Sequence, residues 1–466
     1  MLLDKLKATA TGPDGIPYWF LRLGAPFLCS HIARLVNLSI ATSTVPKQWK
    51  EALIHPIPKI PGPVAEADFR PISVTSVISR IMERVVVRTY VYPAIMAKDN
   101  LMRFSDQFAF RPTGSTPAAL IAILQTITMM LAQCNNNYVH LISLDFSKAF
   151  DTVKHSSVVS KFMSLNLSDE FINWIVSFLT GRTHKTKWGD TVSEPVSILA
   201  SVIQGSVIGP AAYAVVASDL KAITPGNIIL KFADDSYLIV PQANTSSINS
   251  EIQHIQTWAN QNNLSLNAKK SSEMIMTDKR SLVRTRGFSP PAEIPGINRV
   301  KKLTILGIII TDQFSMADHV DEVLKSCNQS LYAISILKAG GLNPSSASVV
   351  FNALVISKIT YAIQAWLGFA NTADRDRIQR FLNKCFRMQL CPSQAKELDE
   401  LSSRIEIKYF KNVCNQPFHV LQPYLTQKRI NHYDLRSRFH DRLLPTKTTK
   451  LQEANFLIRM MYLHSY

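Results

Sequence analysis

The apolar and polar positions divide this chain into a mixed front and a helical back. A turn-rich opening, Gly12-Pro13-Asp14-Gly15-Ile16-Pro17, precedes a helix predicted near His31 to Thr42. Prolines at 56, 58, 61 and 63 then call for extended backbone, because proline fixes φ and cannot donate within a helix. From Pro71-Ile72-Ser73 a helical pattern opens. Val74, Val77, Ile78, Ile81 and Val85 form one face, with Arg80, Arg84 and Arg88 on another. A further helix is predicted over Thr116 to Leu131, with Pro117 acceptable in its first turn. Tyr138 to Leu144 reads as a strand that ends at Asp145. A helix near Ser168 carries Asp169 and Glu170 in its first turn and Gly181 at its end. Two short strands flank the Gly189-Asp190 turn, and a helix follows Gly209-Pro210 through Ala211 to Leu220.

Two apolar runs then flank Asp234-Asp235: Ile228, Ile229 and Leu230 before, Leu238, Ile239 and Val240 after. They read as buried strands with both aspartates at the tight turn between them. A helix near Ile248 to Asn260, a strand over Glu273 to Thr277, a Pro/Gly-rich loop from Gly287 to Gly296 and strands within Leu303 to Thr311 complete the front. From Ala317 onward the pattern is helical, which suggests a separate α-domain.

The paired acids change the picture. Two carboxylates about 4 Å apart repel by roughly 4 kcal/mol at an effective dielectric near 20. An apolar hairpin that carries both calls for a positive partner, and a divalent cation suits it. Alone, the pair would be read as two solvated turn residues. Asp145 supplies a third acid at a strand end. Three carboxylates around two divalent ions make a phosphoryl-transfer site.

The chain has 466 residues, 46% of them hydrophobic, which is ample for a core and too long for one ordinary domain. Its net charge of +17 favours a polyanionic partner, either nucleic acid or an acidic membrane surface. Residues 371–466 hold 17 Lys or Arg against 9 Asp or Glu. The six cysteines are scattered and read as reduced thiols; Cys385, Cys391, Cys414 and His419 fit no familiar zinc spacing. The N-terminus lacks a signal-peptide core. Residues 112–144 contain no Asp, Glu, Lys or Arg, yet Gln125, Gln133 and Asn135 to Asn137 interrupt the apolar run. A buried helix is expected there rather than a membrane span, in a soluble intracellular protein.

Taken in order, these segments resemble the reverse transcriptase of LINE-type, non-LTR retrotransposons, nearest the jockey-like and chicken-repeat-like group. The resemblance runs through Gly12–Pro17, Trp49 with Pro56-Ile57-Pro58-Lys59, Phe69-Arg70-Pro71-Ile72-Ser73, Gln107-Phe108-Ala109-Phe110-Arg111 and Gly114-Ser115-Thr116. It continues through Asp145 to Asp151, Gln204 to Pro210, Phe232-Ala233-Asp234-Asp235, Asn267 with Lys270, Leu306-Gly307 and Tyr433 to Arg438. Each match alone is weak; the ordered set is strong.

The resemblance implies an α+β, right-hand polymerase fold. Fingers with part of the palm would cover 1–137, a palm with an antiparallel sheet 138–312, a helical thumb 313–370, and a basic, mainly helical region 371–466. It implies an RNA-directed DNA polymerase that extends a primer 3′-hydroxyl with deoxynucleoside triphosphates on an RNA template. Asp145, Asp234, Asp235 and the Phe146 carbonyl would bind two magnesium ions, with manganese as a substitute. Phe150 would crowd a ribose 2′-hydroxyl. Lys59 and Arg70 would grip the triphosphate, as a point charge and a bidentate fork suit phosphate oxygens. Gln204 and Gly205 would lie along nucleotide and template, and glycine permits close backbone approach. Lys270 would protonate the leaving pyrophosphate, although Lys269 beside it is chemically equivalent. Ile203 stands where the family usually has proline. The matched segments leave out the family's N-terminal endonuclease, so insertion would need a separate one. No membrane partner is implied, and the family points to the nucleus. The alternative is an inactive remnant or scaffold that binds RNA or DNA without synthesis.

Overall fold

The computed structural model describes residues 2–133, 136–147, 149–203, 205–278, 289–390, 397–429 and 440–463. Gln204, Gly287, Cys134, Cys391 and the Tyr433 to Arg438 segment lie outside the described residues. The architecture is α+β, as expected, and its contacts divide the chain into two units.

The first unit comprises Met1–Pro112, Phe146–Lys221 and Gln253–Asn267. Its sheet runs Phe69–Val74, Glu51–Pro58, Arg182–Trp188, Thr191–Val192, with Val196–Ile198 also paired to Arg182–Trp188. The proline-rich run is extended, as its composition requires. It pairs antiparallel with Phe69–Val74, so that Leu53 faces Val74 and Ile57 faces Arg70. This pairing corrects the helix expected from Pro71. Val74 belongs to the strand, and the helix spans Val77–Val86. Ladder hydrogen bonds to a neighbouring strand outweigh a periodicity that Val74 matched by chance. Ser168 caps Asp169–Leu179 by accepting from the Phe171 amide, and Gly181 ends that helix at φ 65°. The helix expected from Gly209 to Leu220 begins earlier and stops earlier, at Ile208–Val216.

The second unit comprises Thr113–Asp145, Ala222–Ile252 and Ala268–Tyr466. Its sheet runs Asn298–Arg299, Ser272–Thr277, Tyr138–Leu144, Asp235–Pro241, Ile228–Phe232. The central strands are antiparallel and almost wholly apolar in their middles. Thr116–Leu131 packs on this sheet with nearly every residue buried, so it is a core helix, as the interrupted apolar run implied.

The helices from Ala317 onward do not form a unit of their own, contrary to the expected α-domain; by contacts they belong with the second unit's sheet. The reason lies in their partners. The Thr113 hydroxyl accepts from the Val420 amide at 3.1 Å, Ser115 meets the Tyr409 hydroxyl at 3.3 Å, and Asn455 donates to Thr128 at 2.6 Å. One run, Pro344–Phe369, is long and apolar enough by composition to cross a membrane. It is broken at Ala362, which turns left-handed at φ 47°, and Phe351, Val355, Ile359 and Trp366 on it are fully buried.

Candidate active site

The site starts from strand register. Leu144 pairs with Ser236 across the Tyr138–Leu144 and Asp235–Pro241 strands, so the next step sets Asp145 opposite Asp235. Asp235 also pairs with Phe232, which leaves Ala233 and Asp234 as a two-residue turn. Ala233 adopts φ 58°, a left-handed conformation that costs a residue with a Cβ. Asp234 therefore lies in the turn, whereas Asp235 opens the strand rather than sharing the turn with it.

The three carboxylates feel one another. The Asp235 carboxyl is pushed up to about 6, first by the protein around it and then by the charges of Asp234 and Asp145. Asp235 is nonetheless open to solvent, so protein surrounds a group that water and ions still reach. Oxygen donors of this charge suit a hard divalent cation. The side chains as placed do not converge. Among the described residues no group of three or more His, Cys, Asp or Glu is arranged to hold a metal. Like charges favour that spreading, and the backbone register is what keeps the acids neighbours.

The other expected residues occupy definite places. Lys59 and Arg70 are exposed on the hairpin of Glu51–Pro58 and Phe69–Val74, and strand alternation puts both on the face of Ile57. The Lys59 ammonium donates to the Ala67 carbonyl at 2.8 Å. Phe146 is buried, in a short strand against Ser265–Leu266. Phe150 is half-buried; its ring stacks on Tyr213 at 4.6 Å between centroids and meets Phe110 edge-on at 6.2 Å. Gly205 has φ 116°, and a Cβ there would stand 2.2 Å from the Ser73 carbonyl oxygen. The missing side chain thus admits the protein's own backbone. Lys269 and Lys270 are both exposed in a turn.

The family model described as reverse transcriptase (RNA-dependent DNA polymerase) matches residues 57–310, a span that holds all three acids. The chain belongs to the reverse transcriptase family. It is 26% identical over 373 residues to a probable RNA-directed DNA polymerase from transposon X-element of Drosophila melanogaster, covering 77% of this chain and 39% of that protein. It is 25% identical over 396 residues to the RNA-directed DNA polymerase from mobile element jockey of the same species, covering 81% and 42%. The chain thus spans about two-fifths of the length of these relatives. A solved apo telomerase from Candida tropicalis, truncated from its C-terminal domain, aligns with 14% identity and a TM-score of 0.40 over 60% of this chain and 59% of that one.

Several residues of this reverse transcriptase site gave no sequence signal. The Asp145 amide donates to the Ser271 hydroxyl at 3.2 Å, which ties the end of its strand to the neighbouring one. Tyr237, two residues beyond Asp235 and so on the same face, is buried and bonded to the Leu306 backbone. Burial, and next the Asp235 charge, raise its hydroxyl above the usual tyrosine range. Leu306 and Gly307 turn at φ 46° and 86°, and the Tyr361 hydroxyl donates to the Leu306 carbonyl at 2.9 Å. Leu306-Gly307 itself was legible beforehand; its partners Tyr237 and Tyr361 come from distant segments.

Proposed function

We propose that this chain is an RNA-directed DNA polymerase that extends a primer 3′-hydroxyl on an RNA template with deoxynucleoside triphosphates. The observation that carries the reading is the register that sets Asp145 opposite Asp235, with Asp234 in the adjoining turn. Asp145, Asp234, Asp235 and the Phe146 carbonyl would hold two magnesium ions, with manganese as a substitute. Such ions supply Lewis acidity at the phosphate and a readier nucleophile.

The chain's own side chains account for the remainder. Lys59 and Arg70 bind and orient the triphosphate from an exposed hairpin face. Phe150 excludes a 2′-hydroxyl by volume, its ring braced by Tyr213 and Phe110. Gly205, with Gln204 beside it, sets the backbone that lies along the nucleotide. Lys270 holds a proton for the departing pyrophosphate; Lys269 beside it is chemically equivalent. In this reading 1–137 are fingers with part of the palm, 138–312 palm, 313–370 thumb and 371–466 a basic C-terminal region. Lys and Arg contacts to backbone phosphates make binding fall steeply with salt.

Primer extension on an RNA template with magnesium and deoxynucleotides tests the reading, comparing the native chain with Asp235→Ala. Incorporation by the native chain alone is expected. A native chain that binds template–primer but incorporates nothing is the inactive binding protein. Equal incorporation by both removes the site assignment.

A further inference from the structure

Outside the acidic hairpin, one buried acid stands apart. Glu83, on the Val77–Val86 helix, is 1% exposed. One carboxylate oxygen accepts from the Val207 amide at 2.6 Å and the Ile208 amide at 3.2 Å; the other accepts from the Ser79 hydroxyl at 3.0 Å. Val207 and Ile208 begin the Ile208–Val216 helix, whose own N-cap residue offers no side-chain acceptor. A helix start leaves four amides without partners inside the helix. Here all four are accounted for. Glu83 takes two, the Ser206 hydroxyl accepts from Gly209 at 2.8 Å, and Pro210 has none to satisfy. An acid 124 residues upstream completes the cap that Ser206 begins. The buried Arg182 guanidinium, which donates to the Phe178 carbonyl at 3.0 Å, supplies the compensating charge.

The pinned helix carries Tyr213, the residue whose ring stacks on Phe150. The loop before the helix is tied to Phe150 as well, because the Val202 amide donates to the Phe150 carbonyl at 2.7 Å. The loop is thus anchored at Val202 and again at Val207. A small apolar cavity beside the helix start is lined by Val202, Ile203, Ser206, Ile208, Gly209 and Phe162, among others. The hydrogen bonds to Glu83 fix the helix start next to it.

We propose that Glu83 is a positioning residue for sugar selection: its carboxylate sets the start of the Ile208–Val216 helix and, through Tyr213, the stance of the Phe150 ring. The proposal rests on the reading of Phe150 as the side chain that meets the nucleotide sugar. All three of its bonds run from a donor to a carboxylate oxygen. Gln at this position can keep its amide oxygen on the Val207 and Ile208 amides and turn its NH2 to the Ser79 hydroxyl, which then accepts, so it removes the charge behind those bonds, whereas Ala removes both acceptors.

The test measures kcat/KM for a deoxynucleotide and the matching ribonucleotide, on an RNA template with magnesium, using the full chain. Native protein, Glu83→Gln, Glu83→Ala and Phe150→Val are compared. Phe150→Val is expected to lose the preference for deoxynucleotides. Glu83→Ala is expected to lower that preference about tenfold, mainly through KM, with template–primer affinity unchanged, and Glu83→Gln to fall between. A folded Glu83→Ala that keeps native preference while Phe150→Val loses it overturns the proposal. A native chain that incorporates neither nucleotide overturns the polymerase reading instead, and an unchanged Phe150→Val overturns the role of Phe150. If Glu83→Ala does not fold, Glu83→Gln decides by hydrogen exchange at residues 206–209. Faster exchange with weakened preference supports the proposal; faster exchange with native preference sinks it.

Discussion

Asp235 and Glu273 lie on the same five-stranded sheet, on either side of the Tyr138–Leu144 strand, in opposite electrostatic company. Glu273 is fully buried, and both its oxygens are bonded. One meets the His140 imidazole at 2.6 Å; the other meets the Arg299 guanidinium at 2.8 Å and 2.7 Å. Asp235 is exposed, and the charges around it belong to two more acids. A buried acid with both oxygens bonded to cationic or imidazole partners ties the sheet together. Asp235, whose affinity for protons is raised by burial and then by the charges of Asp234 and Asp145, is held there at a cost, and such perturbed groups cluster at sites that bind a ligand. What separates the structural acid from the functional one is the sign of its neighbours.

Removing each acid separates the two most sharply. Asp235→Ala should lower nucleotide incorporation by about 10³-fold or more, the loss of several kcal/mol of transition-state stabilisation. Its melting temperature should hold or rise, since a repulsion has been relieved. Glu273→Ala should do the reverse and destabilise the chain by about 3 kcal/mol, because it removes the counter-charge of Arg299 and leaves the buried Nδ1 of His140 without its partner, Thr245 remaining on Nε2. That figure is the low end of the range, as Arg299 keeps an edge in water. Primer extension and thermal denaturation of both variants check the contrast. Matching losses in both properties for both variants would erase the distinction.

The pH dependence of stability gives a finer handle. Burial, and then the charges of Asp234 and Asp145, push the Asp235 carboxyl up to about 6, above the ordinary aspartate value of about 3.9. Between those values the folded chain holds more protons than the unfolded one. The contribution of Asp235 to stability therefore falls as pH rises through that window and levels off above it. Solvent at Asp235 screens the effect, so it should be smaller than the loss at Glu273. Melting temperatures of native chain and Asp235→Asn, without divalent ions and from about pH 4 to about pH 7, isolate it as a difference. The native curve should drop relative to the variant, and millimolar magnesium should reverse the drop by binding the ionised carboxylates. Parallel curves would show that the three acids do not interact.

The same contrast explains what could be read from the residues alone. The strand to Asp145 and the hairpin at Asp234 announced themselves, because an acid that ends an apolar run conflicts with its surroundings within a few positions. Thr116–Leu131 was legible from local sequence as well, through its uncharged apolar run. Glu273 and Glu83 gave no such sign. Each has its partners far along the chain, and in a window of ten residues each looks like an ordinary solvated acid. Val74 was misassigned because its spacing fitted a helix, while its strand partner Leu53 lies 21 residues earlier. The helices after Ala317 looked independent, although their anchors, Thr113, Ser115 and Thr128, lie some 200 residues upstream or more.

The smallest expected effect tests whether the two acids are mechanically linked. Ser271 immediately precedes the Ser272–Thr277 strand that carries Glu273, and its hydroxyl accepts the amide of Asp145. Ser271→Ala leaves that amide without its acceptor in a half-buried place, which costs about 1 kcal/mol. Every contact of the Glu273 network survives the change. If the sheet end is rigid only through this bond, incorporation should fall about fivefold while the melting temperature drops slightly, and Ser271→Thr, which keeps the hydroxyl, should restore both. A Ser271→Ala chain with native incorporation would mean that pairing of Leu144 with Ser236 already places Asp145, and that the site depends on register alone.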